Sequence, residues 1–471
     1  MTVKNRTEIW TTNPATGERL KPYLIFQDLA DVQPLLLELT KGFSLWKKLS
    51  FQDRQKKLLP TVKLFEAAKN EIALEITLQM GKPLAQALVE IDKCIESIQY
   101  MCTHGYKEFD PQYIETTQQM NEVHHRPLGV ILSVMPWNFP LWQVIRMIYP
   151  ALLMGNVILL KHSEITASIG VLVEKIFSKL DYCVLKNILF DHSLTEDIIA
   201  DSKVSGVSLT GSTNAGYKLS EYAGRHLKRG VFELGGSDAY LVLDDADIKL
   251  SAQTILKSRL HNTGQTCISA KRAFVSKNKI ELFLTEMKAE LINYQFGDLM
   301  SPKTQLAPLA SVQFKKDYLE KRKLIDAYVS LEMSIQPPSS DLESRVKAFV
   351  PVEILRIKDI HSLPLKKIMN DLEFFSPTLL VYVYDTEGQA IELLNSTKYG
   401  LGSAIFTTDV IKAKKMAANI EAGICVINGL VKSDVRLPFG GFKSSGLGRE
   451  TGIIGFYEFT QTQVISYGRP V

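Results

Sequence analysis

The sequence predicts an α/β protein with two parallel β-sheets covered by helices. Short β-branched runs alternate with stretches of helical periodicity along most of the 471 residues. Such alternation is typical of parallel βαβ units. The runs also fall into two sets that meet near Gly236, so we expect two α/β domains. A chain of this length can hold two or three separate apolar cores.

The strand-like runs, most of which end in polar or glycine-rich turns, are VILSV (130–134), VILLK (157–161), VSGVSLTG (204–211), VFELGG (231–236), AYLVL (239–243), AFVSK (273–277), LLVYVY (379–384) and GICVIN (423–428). Helical patterns are predicted over 163–180, 214–226 and 280–294.

One uncharged stretch, residues 128–145, is long enough to suggest a membrane span. However, Pro136, Asn138 and Pro140 would leave broken backbone hydrogen bonds and an amide in lipid. The stretch is better interpreted as a buried strand, the rigid turn MPWNFP, and the start of a helix in LWQVIRMIYPALLMGN.

Composition and charge are those of an ordinary soluble globular protein: 45% of the residues are hydrophobic, 23% are charged, and the net charge is +4. A net charge of +4 over this length is too small to create a positive electrostatic potential that would favour nucleic acid or a membrane as partner. The five cysteines form no C-x-x-C pair and the eight histidines show no ligand spacing, so we expect reduced thiols and no metal site. The polar N-terminus lacks a signal peptide's apolar core, which favours a cytoplasmic location.

The segment SLTGSTNAG follows a predicted strand and opens a predicted helix. Gly211 and Gly216 have the spacing of a phosphate loop, but Tyr217 stands where a Walker sequence requires lysine. The G-x-G-x-x-G fingerprint is absent as well. The segment can hold one phosphate group, or it can be merely a helix cap and a tight turn.

Cys267 and Glu233 are the candidates for covalent and acid–base chemistry. Cys267 lies in the polar segment HNTGQTCISAKR, where a helix N-terminus could stabilise its thiolate. Glu233 follows an apolar strand and precedes two glycines, so burial would raise its pKa towards that of a useful general base. The other four cysteines, like most isolated cysteines, are expected to be small buried hydrophobes: Cys94, Cys102, Cys183 and Cys425.

Eight motifs together resemble the NAD(P)-dependent aldehyde dehydrogenases, and most closely the bacterial succinate-semialdehyde dehydrogenases. They occur in the family's order: MPWNFPLW, LKHSE, SLTGST, FELGGSD, NTGQTC, EFFSP, NSTKYGL and PFGGFKSSGLGRE. The resemblance implies an aldehyde dehydrogenase-like α/β fold with a dinucleotide-binding domain (1–112 and 131–235), a catalytic domain (236–442) and an oligomerisation element (113–130 and 456–471). That element is a β-hairpin and a strand-rich tail, which pair between subunits in the family, so a homodimer or homotetramer is expected.

The resemblance also assigns catalytic roles. Cys267 would attack the aldehyde and form a thiohemiacetal, whose negative oxygen the Asn138 amide and the Cys267 N–H would stabilise. After hydride transfer to the nicotinamide, Glu233 would activate the water that hydrolyses the thioester. Relatives that acylate coenzyme A generally lack this glutamate, so its presence favours release of a free acid.

By the same resemblance, the cofactor contacts are Pro136, Trp137, Lys161, Glu164, Gly211, Ser212, Glu373 and Phe375. A carboxylate at Glu164 would repel a 2′-phosphate, which favours NAD, while Lys161 would attract that phosphate and keeps NADP possible. A simple surface ion pair between the two is the alternative.

The expected small-molecule substrate is succinate semialdehyde, whose distal carboxylate needs a cation. By resemblance, Arg146 would supply it, with Ser433 and Arg436 approaching from the other side. His261 stands where some of those enzymes carry a second arginine, and Arg146 could instead form an ion pair on a helix. A general aliphatic aldehyde dehydrogenase and a non-catalytic member of the fold therefore remain alternatives.

Two departures from the family pattern concern the catalytic domain. Ser376-Pro377 replaces the usual Gly-Pro after the Glu-x-Phe element, which could alter the turn that holds Phe375. Residues 299–369 fit the pattern poorly, although helices there are still expected to pack.

Overall fold

The computed structural model describes residues 6–117, 119–338 and 347–468. Its strands, in chain order, are β1 Arg6–Thr12, β2 Arg19–Phe26, β3 Gln112–Glu115, β4 Met120–Pro127, β5 Val130–Met135, β6 Val157–His162, β7 Leu185–Asn187, β8 Val204–Thr210, β9 Arg229–Glu233, β10 Ala239–Val242, β11 Arg272–Ser276, β12 Val329–Ile335, β13 Val352–Ile357, β14 Thr378–Tyr384, β15 Tyr399–Gly400, β16 Gly402–Phe406, β17 Ile424–Ile427, β18 Phe442–Lys443, β19 Gly446–Leu447 and β20 Thr460–Tyr467.

The α-helices are α1 Leu29–Trp46, α2 Phe51–Leu58, α3 Thr61–Met80, α4 Leu84–Thr103, α5 Trp142–Leu153, α6 Ala167–Phe177, α7 Thr195–Ala200, α8 Thr213–Arg225, α9 Ile248–Leu260, α10 Ile280–Leu291, α11 Val312–Ile325, α12 Leu363–Asp371, α13 Glu387–Asn395, α14 Val410–Ala417 and α15 Gly452–Tyr457.

Two large sheets carry the fold, as the alternating pattern predicts. The first has the order β19-β9-β8-β5-β6-β7 and the second the order β12-β13-β14-β11-β10-β16-β17. Apart from the edge strands β19 and β12, neighbouring strands in both sheets are parallel. Strands such as β6 are buried along their whole length, because helices cover both faces of a parallel sheet. The predicted α/β class is confirmed.

The chain passes from the first sheet to the second between Glu233, where β9 ends, and Ala239, where β10 begins. The turn at Gly236 lies in this crossing, although the exact domain bounds stay a prediction. The suspected membrane span forms β5, a turn and the fully buried helix α5, as interpreted from its prolines.

Two expected elements differ in detail. The helix expected over 163–180 begins with a 3₁₀ turn, Glu164–Thr166, because the Ser163 hydroxyl accepts the N–H of Ile165 and caps this turn first. The tail expected to be strand-rich from Phe456 opens instead with the last residues of α15, and its strand starts at Thr460.

A small third sheet has the order β20-β4-β3. Here β20 runs antiparallel to β4 from Thr460 opposite Pro127 to Tyr467 opposite Met120. The tail therefore pairs with the hairpin of its own chain, and pairing of these two pieces between subunits stays a prediction. Gln118 and residues 469–471 of the expected oligomerisation element lie outside the described residues.

Within the described ranges, no helix is both long and apolar enough to cross a membrane. In the same ranges, no three His, Cys, Asp or Glu side chains gather closely enough to hold a metal ion.

Candidate active site

Two sheet edges meet at the candidate active site. In the first sheet, β5, β6, β8 and β9 are parallel neighbours, so the polar turns that follow them share one edge. In the second sheet, the segments that hold Cys267 and Phe375 precede the paired strands β11 and β14. The edges are joined directly, since the Asn138 Nδ2 atom lies 3.1 Å from the Gln265 carbonyl oxygen.

Cys267 lies in a turn between a 3₁₀ segment, His261–Gly264, and strand β11. The expectation of a helix N-terminus at this thiol is therefore wrong. Without that dipole, burial raises the pKa of the Cys267 thiol to about 11, although the charges of Arg146 and Lys271 act in the opposite direction. The thiol is consequently protonated at neutral pH in the protein alone.

The loop before Cys267 has an unusual backbone. Asn262, Thr263 and Gly264 have φ values of 51°, 52° and 77°, and this left-handed region is unfavourable for a β-branched threonine. Tertiary contacts hold the loop: the Thr263 hydroxyl accepts the N–H of Ala307 at 2.9 Å, and Arg259 donates to the Gly264 carbonyl. A side chain at Gly264 would clash with the Ser376 carbonyl, so the loop is also packed tightly against the turn before β14.

Asn138 is held from both sides. Its side-chain amide donates to the Gln265 carbonyl, and its own carbonyl accepts the Asn262 amide and the Lys82 ammonium, each at 2.9 Å. Lys82 is ion-paired with Glu90, whose second oxygen accepts the N–H groups of residues 141 and 142 at 3.0 Å each. This buried pair fixes the MPWNFP turn. Sequence reasoning missed both residues, which belong to no motif quoted for the family.

The second N–H of the Asn138 amide donates to no acceptor among the described residues. In the described part of the chain, the backbone N–H of Cys267 also donates to no acceptor. These two donors belong to segments that are hydrogen-bonded to each other, an arrangement that suits stabilisation of a developing oxyanion.

Glu233 ends strand β9 and is 2% exposed. Burial and the neighbouring Glu450 charge raise its pKa well above the usual range, the direction expected from sequence. Neither of its carboxyl oxygens has a hydrogen-bond partner among the described residues. One oxygen packs so closely on Gly440 that a Cβ there would lie 2.8 Å from it. The carboxyl is thus buried in surroundings that favour its protonated form, and no hydrogen bond among the described residues fixes it.

A cavity of about 140 Å³ opens beside the thiol. Of the predicted substrate residues, Arg146, His261 and Ser433 line it together with Cys267, but Arg436 does not. The Arg436 side chain is 65% exposed and forms a salt bridge with Asp434. The structure therefore brings three of the four predicted substrate residues to the cavity.

Arg146 forms an ion pair with Glu450, and both side chains are 2% exposed. Its guanidinium also packs on Phe439, 4.5 Å from the ring centroid. The positive charge is therefore already balanced within the protein. Glu450 belongs to the GLGRE motif, but the motif alone gave no indication of this partner.

His261 stacks against Phe139 with 5.6 Å between ring centroids. Burial lowers its pKa to about 4, and the charges of Lys82 and Lys93 add to this effect. The imidazole is therefore neutral at neutral pH and cannot replace the arginine that some relatives carry at this position.

The predicted phosphate turn lies where β8 ends. The Gly211 N–H donates to the Glu233 carbonyl at 2.9 Å, and the Ser212 hydroxyl accepts the Ala215 N–H and caps helix α8. Within the described ranges, the N–H groups of Thr213 and Asn214 donate to no acceptor. This helix N-terminus fits a pyrophosphate, because free N–H groups and the helix dipole both favour an anion.

The two residues expected at the adenosine ribose form an ion pair. Lys161, the last residue but one of β6, is buried, whereas the Glu164 side chain is 33% exposed. Despite its partial burial, the pKa of Glu164 is lowered by the Lys161 charge and hydrogen bond. The carboxylate is charged and accessible, while the ammonium is largely neutralised.

Trp137 and Phe375, two of the predicted cofactor contacts, pack together with Phe314. Trp137 stacks on Phe314 at 4.5 Å and meets Phe375 edge-on at 5.7 Å. Glu373 accepts the Gly236 N–H at 3.1 Å and lies 3.2 Å from the Lys271 ammonium. Pro136, which begins the turn after β5, is half-buried beside Trp137.

Residues 2–465 match the aldehyde dehydrogenase family. The chain belongs to this family. It is 34% identical over 458 residues to a Deinococcus radiodurans protein named succinate-semialdehyde dehydrogenase, NADP(+), covering 97% of this chain and 94% of that protein. It is 33% identical to the succinate semialdehyde dehydrogenase Sad, NAD(P)+, of Escherichia coli strain K12, with 99% of each chain covered.

Among solved structures, succinic semialdehyde dehydrogenase from Streptococcus pyogenes in complex with NADP+ superposes with a TM-score of 0.91. The two sequences are 31% identical, and the match covers 98% of this aldehyde dehydrogenase and 100% of the other chain. The resemblance expected from the eight motifs is confirmed.

Proposed function

We propose that this aldehyde dehydrogenase oxidises succinate semialdehyde to succinate with NAD, or alternatively NADP, as hydride acceptor. The observation that carries the proposal is the hydrogen bond from the Asn138 amide to the carbonyl of Gln265, two residues before Cys267. Cys267 itself lines a small cavity that also contains cationic side chains. The names of the relatives support this choice of aldehyde.

The first step forms a carbon–sulfur bond. The Cys267 thiol gives its proton to a water molecule, and the sulfur attacks the aldehyde carbon while the carbonyl oxygen becomes negative. The Asn138 amide and the Cys267 backbone N–H would then donate to that oxygen. A hydrogen-bond donor that acts only on the developing charge lowers the barrier rather than merely tightening substrate binding.

A nicotinamide cofactor, when bound, would accept the hydride that the thiohemiacetal on Cys267 loses, which would leave a thioester on this residue. In our proposal, Glu233 acts in its carboxylate form and takes a proton from the water that attacks the thioester, which releases the acid and the Cys267 sulfur. Because its carboxyl packs against Gly440 and does not line the cavity, the side chain must rotate towards the thioester. Its lack of hydrogen-bond partners in the described chain makes that rotation inexpensive.

The predicted cofactor residues fit a dinucleotide: the N-terminus of α8 suits the pyrophosphate, and Trp137 and Phe375, whose rings meet edge-on, offer aromatic surface. We favour NAD because the exposed Glu164 carboxylate would repel a 2′-phosphate and has already neutralised Lys161. NADP remains the alternative, since it is named for the relatives.

The test is a steady-state assay that follows the absorbance of the reduced cofactor with a panel of aldehydes. We expect kcat/KM to be highest for succinate semialdehyde, and higher with NAD than with NADP. A preference for propanal or butanal would indicate a general aliphatic aldehyde dehydrogenase. No reduced cofactor with any aldehyde would indicate a non-catalytic member of the fold.

We also propose that the protein is a homodimer or homotetramer in the cytoplasm. The exposed edge strands β20 and β3 have unpaired backbone groups, which favour pairing with a second copy. The five cysteines are free, and Cys267 must remain reduced to react, which favours a reducing compartment. Sedimentation equilibrium of the full chain tests the assembly, and a monomer at micromolar concentration would refute it.

A further inference from the structure

The proposed substrate has a carboxylate that must be buried with a cationic partner. The predicted side chains do not supply a free one. Arg146 is balanced by Glu450, Arg436 is paired with Asp434 outside the cavity, and His261 is neutral. Another side chain must therefore provide the charge.

Lys93, on helix α4, also lines the cavity that contains Cys267. Its ammonium lies 2.9 Å from the Ser433 hydroxyl oxygen and 3.8 Å from the ring centroid of Trp142. It forms no ion pair with any residue in the described ranges. A half-buried cation without a counter-charge, at the wall of a substrate cavity, suits an anionic ligand.

The two nearest carboxylates cannot neutralise Lys93, because each already has other partners. Glu90, one helical turn away, is bound by the Lys82 ammonium and by two backbone N–H groups. Asp434 forms a two-pronged contact with Arg436, at 2.8 Å from the Nε atom and 2.5 Å from an Nη atom. Burial lowers the pKa of Lys93 to about 8, which still leaves the ammonium mostly charged at neutral pH.

Ser433 adds a second donor. Its oxygen accepts hydrogen bonds from the Lys93 ammonium and, at 3.0 Å, from the Trp142 indole N–H. Its own O–H donates to no acceptor among the described residues. The hydroxyl proton is thus directed away from both donors and is available to a ligand.

We propose that the Lys93 ammonium and the Ser433 hydroxyl together bind the distal carboxylate of the substrate, so that Lys93 is the residue that selects an acidic aldehyde. This inference rests on the proposed function and names the cation for it. Arg146 then acts as part of the cavity wall.

The test compares succinate semialdehyde with butanal, in which a methyl group replaces the carboxylate. For Lys93→Met we expect kcat/KM for succinate semialdehyde to fall about 10- to 100-fold, because one charged hydrogen bond to the substrate is lost. Most of this fall should come from a higher KM. The loss for butanal should be at least tenfold smaller. Lys93→Arg should recover much of the preference for the acidic aldehyde, because it restores a cation.

Lys63→Met is the matched control, since this exposed lysine of helix α3 does not line the cavity. We expect it to leave the ratio of the two kcat/KM values unchanged. Equal losses for both aldehydes in Lys93→Met, or an equal effect of Lys63→Met, would overturn the proposal. Circular dichroism and thermal melting identify a variant that fails to fold, in which case Lys93→Arg decides.

A separate measurement distinguishes this inference from the proposed function. Succinate should inhibit butanal oxidation competitively in the unchanged protein, and Lys93→Met should raise its inhibition constant about tenfold or more. If the unchanged protein prefers butanal to succinate semialdehyde, the proposed function fails. If succinate inhibits Lys93→Met as strongly as the unchanged protein, the role of Lys93 fails, whichever aldehyde is preferred.

Discussion

Replacing Arg146 by methionine should destabilise the protein and impair all aldehydes alike. The substitution leaves the Glu450 carboxylate without its cation, and both side chains are 2% exposed, so solvent cannot screen the remaining charge. Removal of one partner from a buried ion pair costs about 3–5 kcal/mol of unfolding free energy. In a domain of 150–250 residues that unfolds as a unit, this corresponds to a fall in Tm on the order of 10 °C.

A double-mutant cycle tests this reasoning. Differential scanning calorimetry of Arg146→Met, Glu450→Leu and the double variant should show that the double variant is more stable than either single one, because no charge remains buried. In parallel, kcat/KM for succinate semialdehyde and for butanal should fall by similar factors in Arg146→Met.

A different outcome would return Arg146 to the role expected from sequence. If Arg146→Met keeps its Tm and loses succinate semialdehyde oxidation far more than butanal oxidation, the guanidinium binds the substrate. The argument that Glu450 has already neutralised it would then be refuted.

Three further predictions concern the reacting groups. Cys267→Ala should abolish turnover but retain NAD binding in a fluorescence titration, and remaining dehydrogenase activity would identify another nucleophile. Glu233→Gln should give a burst of NADH in a stopped-flow trace and then stall, because the thioester persists; undiminished steady turnover would exclude Glu233 as the hydrolytic base. In the protein without cofactor, the rate at which iodoacetamide alkylates Cys267 should rise with pH and reach half its maximum near pH 11, because only the thiolate reacts. Peptide mass spectrometry measures this rate. A midpoint near or below about pH 7 would contradict the inference that the thiol is protonated at neutral pH, because it would lie below the pKa of an ordinary thiol, about 8.5.

The sheets and the order of their elements could be predicted because they follow from local patterns. Buried parallel strands such as β5 and β6 require apolar residues on both faces, and the prolines of the MPWNFP turn mark a break in the backbone. The pairing of β20 with β4 could not be predicted in the same way, because an exposed strand of mixed residues fits an edge in its own chain or in a partner.

For the site, the motifs indicated which residues react, but not their electrostatic state. The polar sequence around Cys267 suggested a stabilised thiolate, whereas burial in the folded chain raises its pKa instead. The partners that decide such shifts lie far away in sequence: Glu450 is more than three hundred positions from Arg146, and their pairing depends on how α5 packs against the chain that follows β19.

The distribution of charge around the cavity explains why Lys93 is a better candidate for binding the substrate carboxylate than Lys82 or Arg146. Lys82 and Arg146 carry fully buried charges, and each requires a carboxylate to be tolerated in the interior. These two ion pairs stabilise the MPWNFP turn and helix α5, so the two cations already have carboxylate partners within the fold. Lys93 is only half-buried, and its ammonium reaches Ser433 and the ring of Trp142 without any carboxylate. A substrate carboxylate would therefore complete an ion pair at Lys93, whereas at Arg146 it would compete with Glu450.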